Sequence, residues 1–210
     1  YNVQLPHAAN VVKAIDELKQ ADPEFEMYVM LGAWIDCAGA WTDSPNHAEQ
    51  DFDANQAEID RAVALAQEYP DIIKVIAVGN EAMVHWAASY FVAPEVILGW
   101  VNHLQKLKAE GALPADLWIT SSDNFASWGG GGAGYHNADL EALVKAVDFV
   151  SMHTYPFHDT HYNPVFWSTD SLSVDSASVS SEVERAMARA LAYSQNQYAS
   201  VVKYVHSVDP

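Results

Sequence analysis

Residues 72–81 read IIKVIAVGNE, an almost unbroken β-branched run that stops abruptly at a polar pair, Asn80 and Glu81. A run this apolar over strand length suits a parallel strand buried on both faces. In α/β folds of that kind, ligands collect beyond the carboxyl ends of the strands. A carboxylate at such a position sits on a rigid element, where chemistry is done. Glu81 is therefore the first candidate for a catalytic group.

On either side of this run, strand-like segments alternate with helical patterns, the signature of repeated βα units and a parallel sheet. A short strand is expected at residues 1–3. Pro6 then opens a helix with Val11, Val12, Ile15 and Leu18 on one face. Residues 27–35 read as a strand ending in Asp36, and Asp53 with Gln56 forms a capping box for the next helix. That helix carries Ile59, Val63 and Ala66 on its apolar face. Pro94 opens another helix that ends before Gly111. Strands at 117–120 and 147–152 follow, separated by a helix capped by Asn137. Ser181 and Glu184 cap a last helix, with Val183, Met187, Leu191, Tyr198, Val201 and Val205 facing inward. Two segments break the rhythm. WGGGGAG at 128–134 reads as a flexible loop and lacks the lysine and glycine spacing of a phosphate cradle. Residues 157–180 read as a binding loop over an active face.

The bulk composition narrows the function classes. The chain has 210 residues, 50% hydrophobic and 18% charged, enough for one sizeable domain with a substantial core. No apolar stretch approaches the ~18 residues of a membrane span, so a soluble protein is expected. The net charge of -18 disfavours nucleic acid and anionic membranes as partners. An acidic, solvated surface suits an exported protein, extracellular or periplasmic. Cys37 is the single cysteine, which excludes an internal disulfide.

The expected strand ends present Trp34 and Asp36, Asn80 and Glu81, Ser122 and Asp123, His153 and Tyr155. Aromatic planes with carboxylates and neutral hydrogen-bonding groups describe a carbohydrate site. Sugar rings stack their C–H faces on Trp and Tyr, and their hydroxyls bond Asn, Asp, Ser and His. Seven Trp and ten Tyr agree with this, and Trp41, Trp86, Trp128 and Trp167 fall in expected loops. Trp100 and Trp118 lie inside periodic segments and read as core. Glu81 suits a general acid, with Asn80 holding a substrate hydroxyl.

VIAVGNEA at 75–82 resembles the fourth-strand motif of glycoside hydrolase family 17, the β-1,3-glucanases of the (β/α)8 retaining clan. YNVQ at 1–4 resembles the end of that family's second strand, MLGAW at 30–34 its third, and VSMHTYPF at 150–157 its sixth. The resemblance implies a (β/α)8 TIM barrel, represented here by roughly strands 2–6, as one catalytic domain over 1–210 that is incomplete at both ends. It implies Glu81 as the acid/base, Asn80 as its partner, and Tyr155 as the tyrosine that contacts the nucleophile. Trp34, Asp36, Ser122, Asp123 and His153 are expected to bind substrate. No cofactor or metal is implied, and the partner is a β-glucan of the laminarin type. The family's nucleophile is a Glu in an ETGW-like motif; that motif does not occur here, and the expectation is that it lies beyond Pro210. Asp36 and Asp123 are poor substitutes for it.

Three other readings stay open. A metal-dependent hydrolase would use His153, His158, His161 and Asp159, with His136 near. A noncatalytic glycan-binding protein would keep the aromatics and need no carboxyl pair. A β-1,3-glucan transglycosylase would share the hydrolase's intermediate.

Overall fold

The computed structural model describes residues 3–163 and 182–210. Pro6 occupies the first turn of α1 (Pro6–Ala21), where its missing N–H costs nothing. The next strand is shorter than its apolar run, β1 (Val29–Ala33), and the chain then folds into a ribbon absent from the sequence reading. That ribbon pairs β2 (Cys37–Ala38) with β3 (Asn46–Gln50) in antiparallel register. Helix α2 (Phe52–Glu68) starts before the expected capping box. Asp51 is its N-cap, accepting from the Ala54 N–H at 3.2 Å, while Gln56 bonds Asp60 one turn on.

The deciding run forms β4 (Ile73–Asn80), followed by α3 (Pro94–Ala109) and β5 (Trp118–Asn124). Then come α4 (Ala138–Ala146), capped as expected by Asn137, and β6 (Ser151–His153). A short α5 (Pro156–Asp159) precedes the last helix, α6 (Glu182–Val208). The main sheet is four-stranded in the order β1-β4-β5-β6, and every pair is parallel. The chain is thus an α/β fold whose sheet grows strand by strand through helical crossovers.

Helices α2 and α3 pack on one face of this sheet. Their buried residues, among them Ile59, Ala62, Ile97, Val101 and Leu104, meet Leu31, Ile76, Val78 and Ile119 in a single core cluster. Toward the strand starts, the other face is open among the described residues. Met30, Val75 and Trp118 are partners across three strands and so point the same way, and Met30 and Trp118 are 44% and 57% exposed. Trp118 is thus at the surface rather than in the core, while β4 is buried on both faces only along its second half, with Ile76 and Val78 on one side and Ala77 on the other.

Helical faces were also rotated relative to expectation. Val12 and Ile15 of α1 are buried, whereas Val11 and Leu18 are exposed. In α6, Ala190, Val201 and Tyr204 face inward, while Val183, Met187, Leu191 and Tyr198 form an exposed stripe. The WGGGGAG segment is packed rather than loose. Trp128 is fully buried and donates its indole N–H to the Ser151 carbonyl at 3.0 Å. At Gly129, with φ +87°, a Cβ would lie 2.1 Å from the Tyr204 ring, so only glycine lets α6 dock there. Val3 lies in a turn, and the rest of the expected first strand is outside the described residues, as are Trp167, Ser181 and most of the 157–180 segment. Among the described residues, no helix is long and apolar enough to cross a membrane.

Candidate active site

At the end of β4 the chain needs a sharp change of direction, and the local sequence supplies it. Gly79 has φ +79°, and a Cβ there would meet the Ala82 Cβ at 2.9 Å. The pairing of β4 with β5 shifts register between Ala77 and Asn80, a bulge that re-aims the residues after it. Glu81 itself takes φ +48°, an uncommon conformation for a residue with a side chain. Its N–H donates to the Ser122 carbonyl at 2.8 Å, which ties the bend to β5.

The Glu81 side chain is 26% exposed and meets His153 at the end of β6, with Oε1 3.0 Å from Nδ1. The other ring nitrogen, Nε2, lies 2.7 Å from the Ser122 hydroxyl. The Tyr155 hydroxyl approaches His153 Nδ1 at 3.4 Å, and the two rings sit edge to face. Glu81, His153, Ser122 and Tyr155 therefore form one hydrogen-bonded group drawn from three adjacent strand ends. Asn80 opens toward the same face, in a cleft of about 290 Å³ that Ser122 and His153 also line. Its Oδ1 is buried and has no hydrogen-bond partner among the described residues.

Asp123 is placed differently from expectation. It is fully buried, and its carboxylate accepts from the backbone N–H groups of Met83 at 2.8 Å and Asn124 at 2.7 Å. Such a group reaches no sugar hydroxyl. Burial pushes its pKa up to about 7; the two backbone bonds oppose this and the nearby Glu81 charge adds to it. Its position braces the segment just after Glu81.

Trp34 and Asp36 lie at the neighbouring edge, at and beyond the end of β1. The Trp34 indole donates to Asp36 Oδ1 at 2.7 Å. Trp34 also packs against Tyr90 at 5.2 Å and Trp41 at 6.2 Å, and Trp41 stacks on Tyr90 at 4.9 Å. Trp41 is 61% exposed and has φ +64°, so a broad ring is held open to solvent. Burial raises the Asp36 pKa, against indole hydrogen bonds from Trp34 and Trp41. The Tyr90 pKa is pushed up to about 12 by burial first, then by the charges of Glu81, Asp123 and Asp36. That phenol stays neutral beside Trp34 and Trp41.

Tyr90, Asn55 and Glu58 escaped the sequence reading. Asn55 of α2 holds Asp36 twice, accepting from its N–H and donating to its carbonyl, both at 2.9 Å. The buried Glu58 accepts from the Trp34 and Val3 N–H groups and pairs with Arg61 at 2.9 Å. A polar residue at a helical position otherwise reserved for apolar ones was the signal for both. Tyr90 had no comparable signal.

The histidines do not gather. His136 stacks on Tyr204 at 4.0 Å and bonds the Gly129 carbonyl, while His158 lies 3.5 Å from Asp159. Among the described residues, no three His, Cys, Asp or Glu groups are arranged to hold a metal ion.

No protein-family model matches the chain, and no curated protein matches it. Among solved structures, it is similar to the crystal structure of an endo-laminarinase from Formosa Hel1_33_131. The two share 60% sequence identity with a TM-score of 0.90 over 100% of this chain. The chain spans 53% of that protein, about half its length.

Proposed function

We propose that this chain carries the acid/base side of a β-1,3-glucan hydrolase site in a retaining (β/α)8 glycosidase of family 17, acting on laminarin-type glucan outside the cell. The observation that carries the reading is the 60% identity, along the entire chain, to an endo-laminarinase. The parallel order β1-β4-β5-β6 suits a segment of such a barrel, and the reactive groups all lie at carboxyl ends of strands.

Glu81 is the general acid. Its Oε1 is engaged by His153, and no hydrogen bond to Oε2 occurs among the described residues, which leaves that oxygen for the glycosidic oxygen. When Glu81 is ionised, His153 donates from Nδ1 and its Nε2 accepts from Ser122. When Glu81 carries the proton on Oε2, toward the glycosidic oxygen, Oε1 still accepts from the His153 Nδ1–H. The Ser122 hydroxyl donates to Nε2 and so holds this imidazole tautomer in both states. The ring thus orients the carboxyl group in both protonation states. Asn80, with its unpaired Oδ1, receives a sugar hydroxyl whose bond tightens as the oxocarbenium-like state forms. Trp34, Trp41 and Tyr90 form the stacking surface, and Asp36 stands beside them as a hydroxyl acceptor.

Retention needs a second carboxyl group ~5–5.5 Å from the acid. Asp123 accepts backbone bonds and Asp36 accepts indole bonds, so neither serves. The family resemblance assigns the role to a glutamate in a motif that this sequence does not contain.

The test is Glu81→Gln in the full-length protein, assayed on laminarin. Turnover is expected to fall ~10²–10⁴-fold, with a smaller loss on aryl glycosides whose leaving groups need no proton. Product anomers followed by NMR should retain configuration. Wild-type turnover by the variant would remove Glu81 from the role, and inverted product would remove the mechanism.

A further inference from the structure

Away from the strand ends, a groove of about 860 Å³ runs between the first turn of α2, the strand β3 and the outer side of α3. Both flanking helices are present, so the groove is a feature of the helical layer itself. On one wall Phe52 stands 56% exposed, its ring 5.5 Å from the buried Trp100 and tilted by 33°. Trp100 is locked in turn by its indole N–H, which donates to Gln50 Oε1 at 2.8 Å. Phe52 is therefore an exposed ring on a rigid mount.

Gly99 forms part of the lining and is the anomaly. It lies in the interior of α3, where glycine weakens a helix relative to alanine. A Cβ at this position would meet nothing within 4 Å, so packing does not require glycine. What the missing side chain provides is an open groove lining, where a ligand can approach the helix backbone closely. Gln56 and Asn102 add amides, Glu49 and Glu95 two carboxylates and His103 an imidazole, and no lysine or arginine lines the groove. With a net charge of -18, that chemistry rejects anions. An exposed aromatic face beside amides, an imidazole and two carboxylate acceptors suits a hydroxyl-rich, uncharged chain.

We propose that this groove binds a segment of neutral β-glucan at a second site, separate from the cleft at Glu81. The identity of the sugar rests on the function proposed above. The groove would hold polysaccharide on the enzyme while another stretch enters the cleft, a gain in effective concentration that short oligosaccharides cannot use.

The experiment compares the full-length wild type with Phe52→Ser and Gly99→Leu. The readouts are retention in laminarin-containing native gels, hydrolysis of a short β-1,3-glucan oligosaccharide, and thermal melting. Both variants should lose about tenfold in laminarin retention, the scale of one lost ring contact. Oligosaccharide hydrolysis should stay at wild-type level, and Gly99→Leu should melt no lower than wild type. Unchanged retention in both variants would overturn the proposal, as would a parallel loss of retention, oligosaccharide hydrolysis and melting temperature. Groove-dependent retention by a wild type that cleaves no oligosaccharide would support the groove and sink the proposed hydrolase instead.

Discussion

At Asn80, a buried amide oxygen lacks a partner among the described residues, while the groups beside it are bonded. Its removal should therefore cost little folding energy and much catalysis. Asn80→Ala is expected to keep its melting temperature and to lose at least ~10²-fold in kcat/KM on laminarin, as a transition-state contact should. A matching loss of stability would mark Asn80 as structural. Asp123 gives a prediction of opposite character. Its pKa in the folded protein is raised to about 7, from 3.8 as an ordinary carboxyl. As pH rises between those values, the unfolded chain releases this proton before the folded one does, so this group's contribution to stability falls. The slope is at most about 1.4 kcal/mol per pH unit. Asp123→Asn, with a single acceptor oxygen, should lose one of the Met83 and Asn124 contacts at every pH yet gain on the wild type steadily from pH 4 to 7, as read by urea unfolding. A difference independent of pH would contradict the burial argument. Both residues were visible in the chain as polar groups ending apolar runs. Their separate fates were not, because the bulge between β4 and β5 and the burial of the β5 end set which polar group faces the cleft.

Helix starts were legible where proline marks them, as at Pro6 and Pro94, since the ring constrains the backbone whatever surrounds it. Where two acidic residues compete for a cap, local pattern was insufficient. Asp51 and Asp53 both suit an N-cap, and the β2–β3 ribbon delivers the chain at Asp51. The ribbon itself has no strong alternating signal and exists through contacts with the segment after β4, such as Cys37 N–H to the Tyr90 carbonyl at 3.1 Å. Asn55 links helix to site, and its loss leaves the Asp36 N–H unpaired, while the Asp36 carbonyl keeps the Asp51 N–H at 3.1 Å. Asn55→Ala is expected to destabilise the protein by about 2 kcal/mol or more and to weaken oligosaccharide binding, with denaturant unfolding and calorimetric titration as the measurements. Gly129→Ala tests the seat of α6: the Tyr204 ring must move, so a loss of about 1–3 kcal/mol or more is expected. Unchanged stability there would mean that α6 docks with more slack than the 2.1 Å approach allows.

Across the whole molecule, the apolar surface is unevenly distributed. Val183, Met187, Leu191 and Tyr198 lie along one stripe of α6, and Met30 and Trp118 lie on the open sheet face. Exposed apolar patches of this kind promote association. The 210-residue chain alone is expected to elute in size-exclusion chromatography at a position that depends on concentration. Met187→Glu with Leu191→Glu should reduce that dependence without lowering the melting temperature. Elution of the parent as a monomer at all concentrations would contradict it. Local periodicity and punctuation sufficed for the alternation of strands and helices, the parallel sheet and the carboxylate at the end of the β4 run, because each depends on neighbours within a few residues. The buried side of α6, the reassignment of Asp123 as a brace and the Trp34–Trp41–Tyr90 cluster came from long-range packing. So did the contact between Glu81 and His153, which are 72 residues apart. The physical reason is that burial and hydrogen bonding across strand ends depend on which surfaces meet, and no local pattern carries that information.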